Sequence, residues 1–198
     1  AGAMSSLPSH LSEGVERYTP RHVVGAARAT MGGIDVDPFS CAEANRSVGA
    51  TVYYGPDNAD PRLRNGWPRR WYGRAFVNPP GGRGDKGRSQ QKRAWFRLAT
   101  EYAEGRVKQA IFVCFNLGLL QSTQCRTPAG LAIPLDFPIC YPSSRLEYTY
   151  PGGSVGKQPP HASCVVYLPA RGNESTYFGA LSRFSAHFSP IGRVVVPA

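Results

Sequence analysis

The sequence predicts one three-layer α/β domain with a mostly parallel central sheet and helices on both faces. Short apolar runs alternate along the chain with stretches whose apolar residues recur at helical spacing. Residues 75–77, 110–115 and 163–168 are almost continuously apolar, as strands covered on both faces are. At 198 residues, with 41% apolar and 18% charged content, the chain can bury one sizeable core.

Residues 1–17 are expected to lie outside that domain, as a tag scar and a flexible N-terminus. Ala1-Gly2-Ala3-Met4 reads as a cloning scar with Met4 as the natural start. The domain then runs over 18–198, with loop insertions near 81–93 and 121–163, where Gly, Pro and Ser concentrate. Thr19 is placed to cap a helix with Pro20 at its first position. Val23, Val24, Ala27 and Met31 fall on one face of it, and Gly32-Gly33 ends it. A short strand at 34–36 runs into Asp37-Pro38-Phe39-Ser40, and a short helix follows. A parallel sheet places its first ligand loop at such a strand-to-helix turn. No Gly-x-Gly is present, so a dinucleotide pyrophosphate site is not expected. An acid followed by small residues suits a ligand with a cationic or hydroxyl group, unless Asp37 serves only as a helix cap.

Residues 50–54 form the second strand candidate, followed by a polar loop that holds Asp57 and Asp60. Over 62–74, Arg62, Arg64, Arg69, Arg70 and Arg74 interleave with Trp67, Trp71 and Tyr72. Such a stretch either grips phosphates and stacks on bases or packs its Trp rings under a loop. Residues 81–93 are a glycine-rich basic loop, and 94–104 have helical spacing. The run 110–115 reads as a central parallel strand, with a helix starting at 117–120. Residues 137–141, 145–148, 163–168 and 192–196 are further strand candidates, and 177–187 are helical.

Twenty-three Lys+Arg against 13 Asp+Glu give a net charge of +10. That excess favours a polyanionic partner, of which nucleic acid is the commonest. The five Cys (41, 114, 125, 140 and 164) form no C-x-x-C pair, so reduced thiols, a cytosolic compartment and no zinc or other metal site are expected. Neither a signal peptide nor a membrane-spanning run is visible.

The chemistry centres on Asn78-Pro79-Pro80. Two prolines remove two backbone donors and fix two φ angles, so the strand stops there in a stiff turn. The Asn78 carboxamide oxygen and the Pro79 carbonyl are two acceptors that can hold both N–H groups of an exocyclic amine. The nitrogen lone pair is then left aimed at an electrophile, as methyl transfer to an amine requires. An ordinary Asn-Pro turn is the plain alternative.

In order, Tyr18-Thr19-Pro20, residues 34–40, Ala44-Asn45, Tyr53-Tyr54, Val77-Asn78-Pro79-Pro80, Trp95, Phe137-Pro138-Ile139-Cys140 and Pro160-His161-Ala162-Ser163 resemble the phage-type DNA N-6-adenine methyltransferase (Dam-like) family. The resemblance runs from Tyr18 to near the C-terminus. It implies a Rossmann-like fold, S-adenosylmethionine as cofactor, transfer to the N6 amine of adenine in DNA, and a bacterial or phage-infected cytoplasm. It also implies that Tyr18, Thr19 and Pro20 border the cofactor pocket, that Asp35, Asp37, Pro38 and Ser40 form its floor, and that Asp57 or Asp60 reaches the adenosine. Asn78, Pro79 and Pro80 would hold the target amine, while Arg83, Lys86, Arg88, Lys92, Arg93 and Tyr141 meet DNA. Gly81 stands where the family carries a base-stacking aromatic. Tyr141, Trp95 and Trp71 are the sequence's candidates to replace it, with Tyr141 favoured. The other open readings are a non-catalytic DNA-binding relative and a methyltransferase of cytosine N4, an RNA base or protein glutamine.

Overall fold

Helix α1 (Arg21–Met31) turns Val23, Val24, Ala27 and Met31 inward and ends at Gly32, whose N–H bonds to the Arg28 carbonyl. Its N-cap is Pro20 rather than Thr19, because the Pro20 carbonyl accepts the first helical N–H groups, from Val23 and Val24. The computed structural model describes residues 17–84, 87–126, 130–152, 154 and 161–197, and all of their side chains except those of Cys125 and Arg126. Within them follow β1 (Val36–Asp37), α2 (Ala42–Val48), β2 (Val52–Tyr53), β3 (Gly73–Val77), α3 (Gln90–Ala103) and β4 (Val107–Cys114). Helix α4 (Gly118–Arg126), β5 (Ile139–Pro142), β6 (Cys164–Leu168), α5 (Glu174–Phe188) and β7 (Gly192–Val195) complete the order.

The described strands form one seven-stranded sheet in the order β2-β1-β3-β4-β6-β5-β7. It is mixed, which corrects the mostly parallel sheet expected from the sequence. The β1–β2, β1–β3 and β3–β4 pairs are parallel, and the β4–β6, β5–β6 and β5–β7 pairs are antiparallel. A buried strand is apolar on both sides whichever way its neighbour runs, so the composition of 163–168 does not encode direction.

Alternate strand residues divide between two cores. Ala75, Val77, Ala110, Phe112 and Cys114 meet Ala94, Trp95 and Leu98 of α3 and Leu119 and Leu120 of α4. Phe76, Ile111, Val113, Val165 and Tyr167 meet α1 together with Ala180, Phe184 and Phe188 of α5. Helices thus cover both faces, as expected of a three-layer α/β domain.

Residues 145–148 do not form a strand. Leu146 and Tyr148 are buried and Glu147 is exposed, as alternation implies, but the only ladder contact nearby is the isolated bridge between Tyr18 and Thr149. Trp95 and Trp71 are fully buried. Their indole N–H groups donate to the Ala132 and Gly66 carbonyls, at 3.0 Å each, so neither ring is open to a base.

On the α3 side of β4, Phe112 is fully buried and edge-on to Trp95 at 5.3 Å between ring centroids. Phe112→Ala should destabilise the fold by about 3–5 kcal/mol through cavity formation. Thermal melting should fall by roughly 6–20 °C. Phe178→Ala, on the exposed side of α5, should stay within about 0.5 kcal/mol of the parent.

Candidate active site at the ends of β1 and β3

The strand order reverses between β1 and β3: the chain leaves β1 for β2 on one side and returns to β3 on the other. Open α/β sheets bind ligands at the carboxyl ends of the strands beside such a reversal. Asp37 is the last residue of β1, and Asn78 follows the last residue of β3.

The end of β3 meets the segment that leads into α1. The Asn78 Nδ2 donates to the Arg17 carbonyl at 3.4 Å, which leaves Oδ1 as the free acceptor. Pro79 is buried and Pro80 exposed, so the turn is anchored at one proline and open at the next. Thr19 is buried, and its Oγ1 has no hydrogen-bond partner among the described residues. A buried hydroxyl without a partner costs free energy that a ligand can recover. Pro20 is buried beside it. The Tyr18 hydroxyl donates to Glu43 Oε2 at 3.3 Å and accepts from the Cys41 thiol at 3.4 Å.

The acids expected at the cofactor differ sharply in their commitments. Asp37 is 2% exposed, and no described ion pair includes it. Burial pushes its carboxyl up to about 7, against the opposing pull of the Phe39 N–H and the Ser40 hydroxyl. It does not cap α2, whose N-cap is Cys41. Asp35 is taken up by Arg74, which donates from its backbone N–H at 2.7 Å and its guanidinium at 2.6 Å. The Arg74 guanidinium holds the Asp35 carboxyl below its usual range. Asp57 accepts from the Ala42 N–H at the start of α2, at 2.8 Å. Asp60 is paired with Arg62 at 2.8 Å and pulled down to about 2 by that contact. Asp37 alone of these four carboxylates is buried, and no described cation is paired with it.

The turn at Pro38-Phe39-Ser40 is held from outside. Pro38 is buried, and the Ser40 N–H donates to the Tyr54 carbonyl at 2.9 Å. The Gly66 backbone presses so closely on the Pro38 carbonyl that a Cβ there would collide with it.

The expected DNA contacts are more dispersed. Arg83 and Arg88 are exposed on the short bridged loop joining Arg83 to Ser89. Lys92 folds back to donate to the Ser122 carbonyl at 2.7 Å, and the Arg93 guanidinium lies 3.9 Å over the Trp67 ring. Arg62 and Arg74, read above as phosphate-gripping candidates, are held by Asp60 and Asp35. Tyr141 lies in β5 and packs on the α3 side of the sheet. Lys86 and Pro160 lie outside the described residues.

Two residues near the site escaped the sequence reading. Glu43 joins the Tyr18 hydroxyl to the Gly152 N–H, which donates to it at 3.0 Å, and an acid in the first turn after Asp37-Pro38-Phe39-Ser40 was its signal. Phe115 ends the apolar run of β4, one residue past the strand, and passed there for core.

Among the described residues no group of three or more His, Cys, Asp or Glu could hold a metal ion. None of the described helices is long and apolar enough to cross a membrane. Comparison of the chain with protein-family models, curated proteins and solved structures gives no match.

A carboxyl whose pKa is raised on folding holds its proton more tightly in the folded state. Its contribution to stability is therefore present near pH 4 and lost as pH rises towards about 7. Asp37→Asn removes that loss. Urea unfolding of the two proteins should show the variant gaining on the parent by a few kcal/mol between pH 4 and pH 8. Parallel stability curves would mean that Asp37 is not held as described.

Proposed function

We propose that this chain is an S-adenosylmethionine-dependent methyltransferase acting on the exocyclic N6 amine of adenine in DNA. One observation carries the reading. The Asn78-Pro79-Pro80 turn ends β3 beside β1, whose end holds the buried Asp37 carboxylate, and the partnerless Thr19 hydroxyl lies in the segment that Asn78 touches. The reversal of strand order between β1 and β3, with helices on both faces, supports a Rossmann-like methyltransferase sheet for the finer fold.

The donor set fits the cofactor. Asp37 offers a carboxylate to a cationic amino group, and Thr19 offers a hydroxyl to a neighbouring polar group. The Tyr18 hydroxyl, donating to Glu43 of α2, ties the segment before α1 to that helix. When bound, S-adenosylmethionine supplies an electrophilic methyl group on a sulfonium. The chain supplies alignment and electrostatics. Asn78 Oδ1 and the Pro79 carbonyl accept from the two amine N–H groups and orient the nitrogen lone pair. The Arg17 carbonyl keeps the carboxamide turned so that its oxygen is the group presented. The prolines hold that geometry without the entropy cost of ordering a flexible loop.

A net charge of +10 supports a polyanionic substrate, and exposed Arg83 and Arg88 stand on the loop that leaves the catalytic turn. Gly81 favours one second reading, a DNA-binding relative that transfers no methyl group.

Asn78→Ala should lower methyl transfer to DNA on the order of 10²–10³-fold, the scale of losing one aimed polar group at a reacting centre. Calorimetry should find its affinity for S-adenosylmethionine within a few-fold of the parent. Turnover within a few-fold of the parent would remove Asn78 from the assignment.

A further inference from the structure

We propose that Phe115 is the substrate-stacking residue of this site, its ring supplying the aromatic face that Gly81 lacks. The proposal rests on the reading above, that an amino-bearing base is taken out of DNA into the site. A base removed from a duplex loses its stacking partners and recovers part of that loss on an aromatic or apolar side chain in the pocket. The Asn78-Pro79-Pro80-Gly81 turn contains no ring.

Phe115 directly follows the last residue of β4, the strand that pairs with β3. Phe76 and Ile111 are register partners in that pair and both face the α1 side of the sheet. Phe115 packs on that same side, and the Asn78 carboxamide reaches the Arg17 carbonyl just ahead of α1. The ring and the carboxamide therefore share one face and one edge of the sheet. A Cβ placed on Gly81 would stand 3.5 Å from both Cε2 and Cζ of Phe115. The ring edge thus already reaches the point from which a side chain at position 81 would start. A bulky residue there would compete with the ring, which gives the glycine a reason. The turn is held against the ring by Gln90, whose Nε2 donates to the Gly81 carbonyl at 2.9 Å.

Phe115 is half-buried and packs against the core on the α1 side of the sheet. Trp71 and Trp95 have no exposed ring face. Tyr141 packs on the opposite face of the sheet from Asn78.

The test compares methyl transfer by the parent, Phe115→Leu and Phe115→Tyr on one duplex DNA and on the same DNA after heat denaturation. Leu keeps the apolar anchor without a ring, and Tyr keeps the ring. Rates are compared per folded protein, the folded fraction of each variant being read from its thermal unfolding. Phe115→Leu should lose roughly 5- to 150-fold on duplex DNA, the worth of one base stacked on an aromatic. It should lose by a similar factor on denatured DNA, because the same extruded base loses the same ring, and Phe115→Tyr should stay within about 3-fold of the parent on both. An active parent whose Leu variant keeps its rate on both substrates overturns the role of Phe115 and leaves the proposed function standing. A Tyr variant as impaired as the Leu variant also overturns it. A parent that transfers methyl to neither DNA overturns the functional reading and this inference together.

Discussion

The contact between Asp35 and Arg74 sets where β1 ends relative to β3, and the candidate site lies across those two ends. Strand β1 supplies only Val36 and Asp37 to the sheet, and it pairs with β3 through Val36 and Ala75 alone. A ladder that short does little to resist slippage, and a slip of one residue would turn Asp37 to the other face. The Arg74 carbonyl accepts from the Asp35 N–H at 2.8 Å, while the Asp35 carboxylate accepts from the Arg74 backbone and guanidinium. The same guanidinium donates to the Gly32 carbonyl, so the end of α1 is tied into the clamp. Gly73 takes φ +60° beside the Asp35 carboxylate, where a Cβ would collide with it. The pair is partly exposed, so its contribution lies in register more than in net stability.

With register fixed, the site depends on one unfavourable burial. Asp37 lies under the Phe39 N–H and the Ser40 hydroxyl without a cation, in a sheet where the other acids near the site already have partners. Burying a carboxylate in this way opposes folding, and it persists only where the surroundings hold it. Thr19 Oγ1, without a hydrogen-bond partner among the described residues, adds a second buried polar group in the segment that Asn78 touches. Two such groups beside a stiff Asn-Pro-Pro turn form a place where a polar ligand gains more than water can offer.

Much of the fold was legible because burial on both faces leaves a plain mark. Residues 75–77, 110–115 and 163–168 overlap β3, β4 and β6, and the helical spacing at 94–104 and 177–187 falls within or against α3 and α5. Strand direction left no such mark, and the antiparallel β6 looked like any covered strand. At 145–148 the alternation predicted which side chains are buried, yet no described strand pairs with the segment. In the site, Asn78 and Asp37 could be placed at strand ends from local pattern alone. That Asp35, Asp57 and Asp60 are occupied depends on Arg74, the Ala42 N–H and Arg62, and the pairings that reach across the fold have no local signature. Phe115 was hidden by its own strand, since the last residue of an apolar run reads as core until the strand's end is known.

The proposed assignment thus joins a register clamp, a buried unpaired acid and an acceptor pair on a proline-stiffened turn into one amine-methylating site. The most direct measurement is transfer of label from S-adenosylmethionine carrying a tritiated methyl group to duplex DNA, followed by digestion and separation of the nucleosides. The account predicts label in N6-methyldeoxyadenosine. Label confined to another nucleoside, or DNA that acquires none, would contradict it.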